Sequence, residues 1–486
     1  MKVVKTGVGL RLSNFKRPIQ VASCTKEWMF MIKVAASLLL CECVQQAQNH
    51  DIICLRMAMV ESAALEAMPL SNTECHDFTK EAIITSESLL RMINRVSGTE
   101  IPADSESHRD VVVGINESQQ LFDQMHALTY LMTAITAARH CKSPVVVQDG
   151  VERALRCSFG SDTDSRSRLI TDAAMATTSS FRLKHGLARS ARSIASALVD
   201  ANYADGTAPR HETDSYAIAG VNIVYANVMM GEWGRASRVL RKLKSIFTPE
   251  INWQSAKYVQ LCDNIISFES AILHGQYEKC VSIIEDIETM DEAEAALRKA
   301  LFLAVQGELT AARNLLENFH AKYDTPATVI IHMRLRLQLA MFIGAQCCWS
   351  AAIEVLQGVR EEAVNFEQHN IEAMALRRIG VIQMLSGDHE SAKKSLVECE
   401  KEIIRSCSIL ERALLYIALG KTCSLSSDSS DTIHFLNKAR VCCRQAGAAL
   451  FEKYVLQEMA IHYHKVCCYM LYYAMFCLLY LTHKSS

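Results

Sequence analysis

Four residues near the C-terminus have the side-chain types that bind metal ions, namely His462, His464, Cys467 and Cys468. Imidazole nitrogen and thiolate sulfur are the usual ligands of structural zinc. On a helix successive side chains diverge by about 100°, so His462 and His464 face different sides, although His464 could meet Cys467 or Cys468. No C-x-x-C pair occurs, and adjacent cysteines diverge in the same way. We therefore predict no metal site.

Motifs that mark enzyme active sites are also missing from the sequence. It contains no G-x-x-x-x-G-K-[ST] phosphate loop, no G-x-S-x-G elbow and no H-E-x-x-H helix. Gly7 and Gly9 begin like a dinucleotide-binding motif, but Leu12 occupies the place of the third glycine. We predict no catalytic residue and no cofactor, and do not expect an enzyme.

Charge and cysteine content narrow the class of protein further. The chain has 51 basic and 53 acidic residues and a net charge of −2, so a basic surface for nucleic acid is not expected. Its 19 cysteines could indicate extracellular disulfides. No secretory signal with a small-residue cleavage site precedes them, and many fall at apolar positions. We therefore interpret them as small buried hydrophobic side chains in a reducing compartment.

The strongest pattern is a small residue followed by mostly apolar residues three, four and seven positions later, six times between Thr213 and Ala446. These offsets place the side chains on one stripe of an α-helix. The first residues of successive sets are 44, 32, 40, 40 and 40 positions apart, a period typical of stacked helical hairpins. The six sets are Ala236, Val239, Leu240, Leu243; Cys280, Ile283, Ile284, Ile287; Ala312, Leu315, Leu316, Phe319; Ala352, Val355, Leu356, Val359; Ala392, Ser395, Leu396, Cys399; and Thr432, Phe435, Leu436, Ala439.

Three further positions recur with each set. Five residues before it, where glycine would allow a left-handed turn between two helices, stand Gly231, Gly275, Gly307, Cys347, Gly387 and Ser427. Three residues before it, where a large side chain could fill the gap between helices, stand Trp233, Tyr277, Leu309, Trp349, His389 and Ser429. Twelve residues before it, where two helices would cross closely, stand Val224, Phe268, Ala300, Ala340, Gly380 and Gly420.

These features together predict an all-α fold, a tetratricopeptide-like solenoid of antiparallel helical hairpins with a period of about 40 residues. The alternative is an ordinary helical bundle with chance periodicity. The positions assigned to the repeat are Gly231, Trp233, Ala236, Leu240, Gly275, Tyr277, Cys280, Ile284, Gly307, Ala312, Leu316, Trp349, Ala352, Leu356, Gly387, Ala392, Leu396, Leu436 and Ala439.

Four regions follow from this assignment. They are a divergent N-terminal segment at 1–34, irregular helical hairpins with polar loops at 35–212, the repeats at 213–465, and an apolar tail at 466–486. Within the second region, we predict a loop over 160–168 and one helix from Phe181 to Ala201.

Two unusual segments of the C-terminal half each allow two interpretations. The uncharged run 466–482 has 17 residues, the lower limit for crossing a bilayer, so a tail anchor is an alternative to a buried end helix. We do not expect the chain at a membrane. The polar insert Ser424–Asp431 is predicted to be a solvated turn, with a phosphorylated regulatory loop as the alternative.

Several short motifs occur in one order along the chain. They are Leu243-Lys244, Phe247-Thr248-Pro249, Leu261-Cys262-Asp263 and Gly275-Gln276-Tyr277. The segments Cys43–Leu55, Phe181–Leu198 and Arg412–His464 complete the order. In this order, over about residues 35–465, the chain resembles the anaphase-promoting complex subunit 5 family. That family has an N-terminal domain and earlier repeats, which we expect to be missing here.

This resemblance implies a function that the residues alone do not. It implies a non-catalytic scaffold subunit of the anaphase-promoting complex, a multi-subunit E3 ubiquitin ligase of mitosis, joining catalytic and substrate-recognition modules. Implied partners are subunit 1, subunit 4, subunit 15 and neighbouring tetratricopeptide subunits, in nucleus and cytoplasm. The alternative is a tetratricopeptide adaptor of another assembly, which binds peptides in a groove and could be tail-anchored. The basic residues Lys242, Lys244, Arg377 and Arg378 are too scattered to argue for such a groove.

Overall fold

The computed structural model describes residues 126–135, 137–138, 143–158, 165–204, 214–250, 253–320, 329–426 and 431–465. All of them belong to one compact unit, Ile101–Ser486. Across these ranges the secondary structure consists of helices and turns, without a β-strand.

The helices follow one another with short connections. After a helical stretch at 126–135 come α1 Pro144–Ser158, α2 Ser165–Lys184, α3 Ala188–Ala204, α4 Asp214–Met229, α5 Trp233–Ile246, α6 Trp253–His274, a short 3₁₀ turn Tyr277–Lys279, α7 Cys280–Glu288, α8 Glu292–Val305, α9 Leu309–His320, α10 Val329–Ala345, α11 Trp349–Asn365, α12 His369–Ser386, α13 His389–Ser406, α14 Ile409–Leu425, α15 Thr432–Gln445 and α16 at 449–465.

Consecutive helices pack against each other as hairpins, α2 with α3, α4 with α5, and onward to α14 with α15. The first helices of neighbouring hairpins also contact one another. For example, α4 contacts α6, and α10 contacts α12. The even-numbered helices therefore form one layer and the odd-numbered helices a second layer. This arrangement confirms the predicted all-α solenoid of helical hairpins.

From the α2–α3 hairpin to the α12–α13 hairpin, the turn between the two helices contains a residue with left-handed backbone. Gly231, Gly275, Gly307 and Gly387 have φ of 78°, 73°, 91° and 92°. At Gly231 the turn is closed by the Glu232 N–H, which donates to the Asn227 carbonyl at 2.7 Å. Such a bond satisfies a carbonyl at the helix end that would otherwise lack a partner. Cys347 takes the same conformation, with φ 62°, although a Cβ makes it costly.

Several helices begin with residues suited to a helix start. Pro144 opens α1, where its missing N–H costs no hydrogen bond. The Asp291 side chain accepts from the N–H groups of Ala293 and Glu294 ahead of α8. Ser408 does the same for Glu411 ahead of α14. These caps stop each helix from extending back into the preceding turn.

The core lies between the two helix layers. The small residues Ala236, Ala312, Ala352 and Ala392 are almost fully buried. Helices cross closely at the glycines twelve positions earlier: a Cβ on Gly380 would lie 2.7 Å from Leu396 Cγ, and side chains essentially never approach so closely. Small residues at these positions thus set the spacing of the layers.

One predicted helix is wrong. Instead of a single helix from Phe181 to Ala201, α2 ends at Lys184 and α3 begins at Ala188, with Gly186 at φ 75° between them. The repeat pattern therefore starts one hairpin earlier than predicted, because buried Ala191, Ala195 and Leu198 follow Gly186 at the repeat offsets. The run of small helix-forming residues after Gly186 concealed the turn.

The predicted loop over 160–168 is wrong for its last residues, because α2 begins at Ser165. Polar residues such as serine are as suitable for a helix start as for a loop.

Some predictions lie outside the described residues, namely those for segments 1–34, 35–125 and 466–486, and for Ser427 and Ser429. Within the part that the structure describes, no helix is long and apolar enough to cross a membrane.

Candidate functional site

Distant hairpins of the described unit meet along a line of contacts that we call the seam. The Trp233 indole N–H donates to the Ala446 carbonyl at 2.8 Å, and the Gln445 amide donates to the Met230 carbonyl at 3.0 Å. Further along, the Asn370 amide donates to the Lys184 carbonyl at 2.9 Å. The turns that follow α2 and α4 thus lie against the hairpins of α12 to α16.

Two turn glycines are required at the seam for a second reason. A Cβ on Gly186 would lie 1.6 Å from the Ser406 carbonyl oxygen, and one on Gly231 would lie 2.3 Å from the Gln445 carbonyl oxygen. By contrast, Gly307 and Gly387 have nothing within 4 Å of that position. At Gly307 and Gly387 glycine is therefore needed only for the left-handed backbone conformation. At Gly186 and Gly231 it is also needed because a Cβ would collide with the opposing backbone.

A charged network joins three even-numbered helices. Glu294 on α8 accepts from Arg298 on the same helix and from Arg334 on α10, with Arg334 Nη2 at 3.1 Å from Glu294 Oε2. Arg298 also lies 3.6 Å from Glu269 on α6. We call these four residues the Glu294 network. This network was not predicted from the sequence, although Glu294 and Arg298 have the i, i+4 spacing of a helical ion pair.

The electrostatics of this network depend on burial and on its arginines. Burial alone would raise the pKa of Glu294, but the charges of Arg334 and Arg298 outweigh it and lower that pKa to about 2. At Glu269 burial prevails, so the pKa of its carboxyl is raised despite Arg298. Glu294 is therefore ionised at neutral pH and binds α8 to α10.

Three polar residues on the even-numbered helices are partly exposed. Tyr258 on α6 keeps 38% of its surface exposed, and burial of the rest raises the pKa of its phenol to about 12. Glu269 on α6 and Arg334 on α10 are also partly exposed.

Further ion pairs tie neighbouring hairpins together. Arg377 on α12 contacts Glu411 on α14 at 2.7 Å, and Lys421 on α14 contacts Glu458 on α16 at 2.6 Å. Arg378 also reaches Glu411, at 3.8 Å, and burial lowers its pKa to about 10 against the pull of that carboxylate. Arg377 and Arg378 therefore hold two neighbouring hairpins together.

The remaining basic residues considered for a peptide groove lie on α5. Lys244 contacts Asp263 on α6 at 2.6 Å, and Lys242 is exposed.

The predicted repeat positions lie on the odd-numbered helices and in the hairpin turns. Apolar residues on the odd-numbered helices are buried in the core, including Leu240, Cys280, Ile284, Leu316, Leu356, Leu396, Leu436 and Ala439. Trp233 and Trp349 are half-buried at the hairpin turns and pack against the core clusters. Tyr277 differs, because it lies in the 3₁₀ turn with 37% of its surface exposed.

The cysteines of the described residues show no sign of reactivity in the core. Burial raises the pKa of Cys262, Cys399, Cys407 and Cys443 to about 12. These thiols are protonated at neutral pH and are poor nucleophiles. In the same part of the chain no group of three His, Cys, Asp or Glu side chains could hold a metal ion.

Comparison with known proteins relates this geometry to a family. Residues 18–294 match the model of the anaphase-promoting complex subunit 5 central TPR domain. The chain belongs to this family. Residues 299–467 match a second model, the suppressor of spindle checkpoint defect 1 C-terminal domain. Part of the predicted resemblance rested on Arg412–His464, and this segment falls in the second match. The first match begins inside the segment 1–34.

Individual relatives are distant in sequence. The chain is 26% identical to protein gfi-3 of Caenorhabditis elegans over 87% of its own length and 53% of that protein. It is 25% identical to suppressor of spindle checkpoint defect 1 of the same organism, over 88% of this chain and 54% of that protein. The chain thus spans about half the length of these curated relatives. A crystal structure of the APC/C hetero-tetramer Cut9-Hcn1 aligns over 90% of this chain and 91% of that chain, at a TM-score of 0.40 and 12% identity.

Proposed function

We propose that this chain is a non-catalytic scaffold subunit of the anaphase-promoting complex, joining its catalytic and substrate-recognition modules during mitosis. The observation that carries the proposal is the family match over residues 18–294. Its proposed partners are subunit 1, subunit 4, subunit 15 and neighbouring tetratricopeptide subunits. Its proposed location is the nucleus and cytoplasm.

The architecture supports a structural role. Stacked hairpins joined by tight turns, ion pairs and a seam form a surface whose parts keep fixed distances from one another. A subunit of this kind acts by geometry, because holding two modules at a constant separation raises the effective concentration of one near the other. The chain itself then has no need of a reacting group in ubiquitin transfer.

The test is affinity purification of the tagged full chain from dividing cells of its own organism, with quantitative mass spectrometry of the recovered proteins. We expect the other subunits of the ligase in amounts comparable to the bait. The matched control pair is Ala312→Asp, which places a charge in the core, and Ala311→Asp, which places the same charge on the surface of the same helix. Only Ala312→Asp should lose the subunits.

Two outcomes would contradict the proposal. Recovery of chaperones alone would show that the chain does not assemble into the ligase. Recovery of a different, membrane-bound set of proteins would instead support the adaptor alternative and draw attention to residues 466–482.

A further inference from the structure

A cavity of about 640 Å³ opens at the seam. Its walls come from the start of α3, the end of α4 with the turn that follows, and the junction of α13 and α14. A space of this size accommodates several side chains of a bound segment.

The lining of the cavity is strongly basic. Arg189, Arg192, Arg405 and Arg412 contribute to it, whereas Glu232 is its single acidic residue. The chain as a whole has a net charge of −2, so this concentration of positive charge is local. A cavity with one sign of charge and protein walls attracts ligands of the opposite sign.

Most of these arginines are not used to hold the protein together. Arg192 contacts Glu232 at 2.9 Å. Arg405 lies 3.8 Å from Glu402 with 69% of its side chain exposed, an arrangement that contributes little stability. Arg189 and Arg412 form no ion pair with any described residue, and the buried Nε of Arg412 has no hydrogen-bond partner. The seam is closed by other groups, such as Trp233 and Gln445.

Two further features of the walls suit an anionic peptide. Helices α3 and α14, of 17 residues each, both begin at the cavity, so the positive ends of their dipoles add to the arginines. Met229, Met230 and Ile404 also line it, and flexible thioethers adapt to varied apolar side chains. The walls therefore combine anion recognition with an adaptable apolar surface.

We propose that the seam cavity binds an acidic segment of a partner protein, whose carboxylate or phosphoryl groups are held by Arg189, Arg405 and Arg412. Arginine is suited to this because its planar fork binds either group through two hydrogen bonds. The site is independent of the proposed scaffold function, since it depends only on the chemistry of the cavity.

The test uses the purified full chain and three short fluorescein-labelled peptides that share apolar positions. One carries Asp and Glu, the second carries phosphoserine at those positions, and the third carries Asn and Gln. Binding is measured by fluorescence anisotropy at low and at physiological ionic strength. We expect the two acidic peptides to bind, more weakly at the higher ionic strength, and the neutral peptide not to bind.

Charge reversal locates the binding. Arg189→Glu with Arg405→Glu changes two exposed cavity residues and should weaken binding at least about tenfold, because attraction becomes repulsion. The matched control, Arg156→Glu with Arg238→Glu, makes the same charge change at exposed positions outside the cavity and should alter binding less than about twofold. Circular dichroism melting curves verify that both variants are folded.

The peptides also identify the source of the anion. Tighter binding of the phosphorylated peptide would indicate a phosphorylated partner, and equal binding an Asp/Glu-rich one; both results support the site. The proposal is overturned if neither acidic peptide binds the unmodified chain, or if the cavity variant binds as well as that chain does.

Discussion

At the scale of single residues, a small side chain decides how closely the two helices of a hairpin approach. Ala312 on α9 has no exposed surface and belongs to the core cluster that runs from α8 to α12. Its neighbour Ala311 is exposed. Two adjacent alanines thus have opposite environments, which makes them a sensitive check of the predicted stripe.

Ala312→Asp should destabilise the protein by about 3 kcal/mol or more, because an unpaired carboxylate would be buried between packed helices. Ala311→Asp should change stability by no more than about 0.5 kcal/mol, since it adds the same group at the surface. Urea unfolding followed by circular dichroism measures both. Equal curves for the two variants would show that the apolar stripe of α9 lies elsewhere.

At the scale of helices, the Glu294 network shows how neighbouring hairpins are fastened. Glu294 keeps only 16% of its side chain exposed and accepts from arginines on two helices. Removing one partner of a buried charge pair leaves the other without compensation, which costs more than the pair contributes. The carboxylate of Glu294 is therefore expected to matter more than the exposed ion pairs of the odd-numbered helices.

This expectation has a defined pH dependence. The folded protein lowers the pKa of Glu294 from its ordinary 4.5 to about 2, so the stability it contributes is present above pH 4.5 and is lost as the pH falls through about 2. Glu294→Gln should lower the melting temperature at neutral pH, and its difference from the unmodified chain should shrink as the pH drops below 4.5. Melting curves across this range test the assignment.

The comparison variant is Glu317→Gln, which breaks an exposed pair with Arg313 on α9. It should melt like the unmodified chain at every pH, because exposed pairs contribute little. A Glu294→Gln difference that stays constant with pH would contradict the role given to its charge.

At the scale of the whole described unit, the seam turns a row of hairpins into a structure with contacts between distant parts. Trp233 and Ala446 are 213 residues apart in the chain and share a hydrogen bond. Contacts at such separations tie the ends of the stack together, whereas ordinary solenoid repeats touch only their neighbours.

Two glycine substitutions separate seam packing from turn conformation. Gly307→Ala should cost about 1–2 kcal/mol, the strain of a left-handed alanine, because nothing lies near its new Cβ. Gly186→Ala has the same strain and would also collide with the Ser406 backbone, so it should cost more. Hydrogen exchange should accelerate around 404–409 in Gly186→Ala and stay unchanged there in Gly307→Ala. Equal effects of the two variants on that segment would refute the seam.

The sequence by itself determined the helical hairpins and their order. The information was local, because a helix stripe requires apolar residues only three, four and seven positions apart and each turn requires a left-handed residue five positions before the set. For the same reason the hairpin turn at Gly186 could have been found, since Ala191, Ala195 and Leu198 follow it at the repeat offsets.

Only the tertiary structure decided which residues meet across hairpins. The Glu294 contact with Arg334, the seam and the arginines of its cavity join segments between 40 and more than 200 residues apart. Nothing periodic in the chain marks such pairs, because they depend on how small rotations between successive hairpins add up. A local pattern specifies each hairpin, but the accumulated geometry of the stack places distant side chains together.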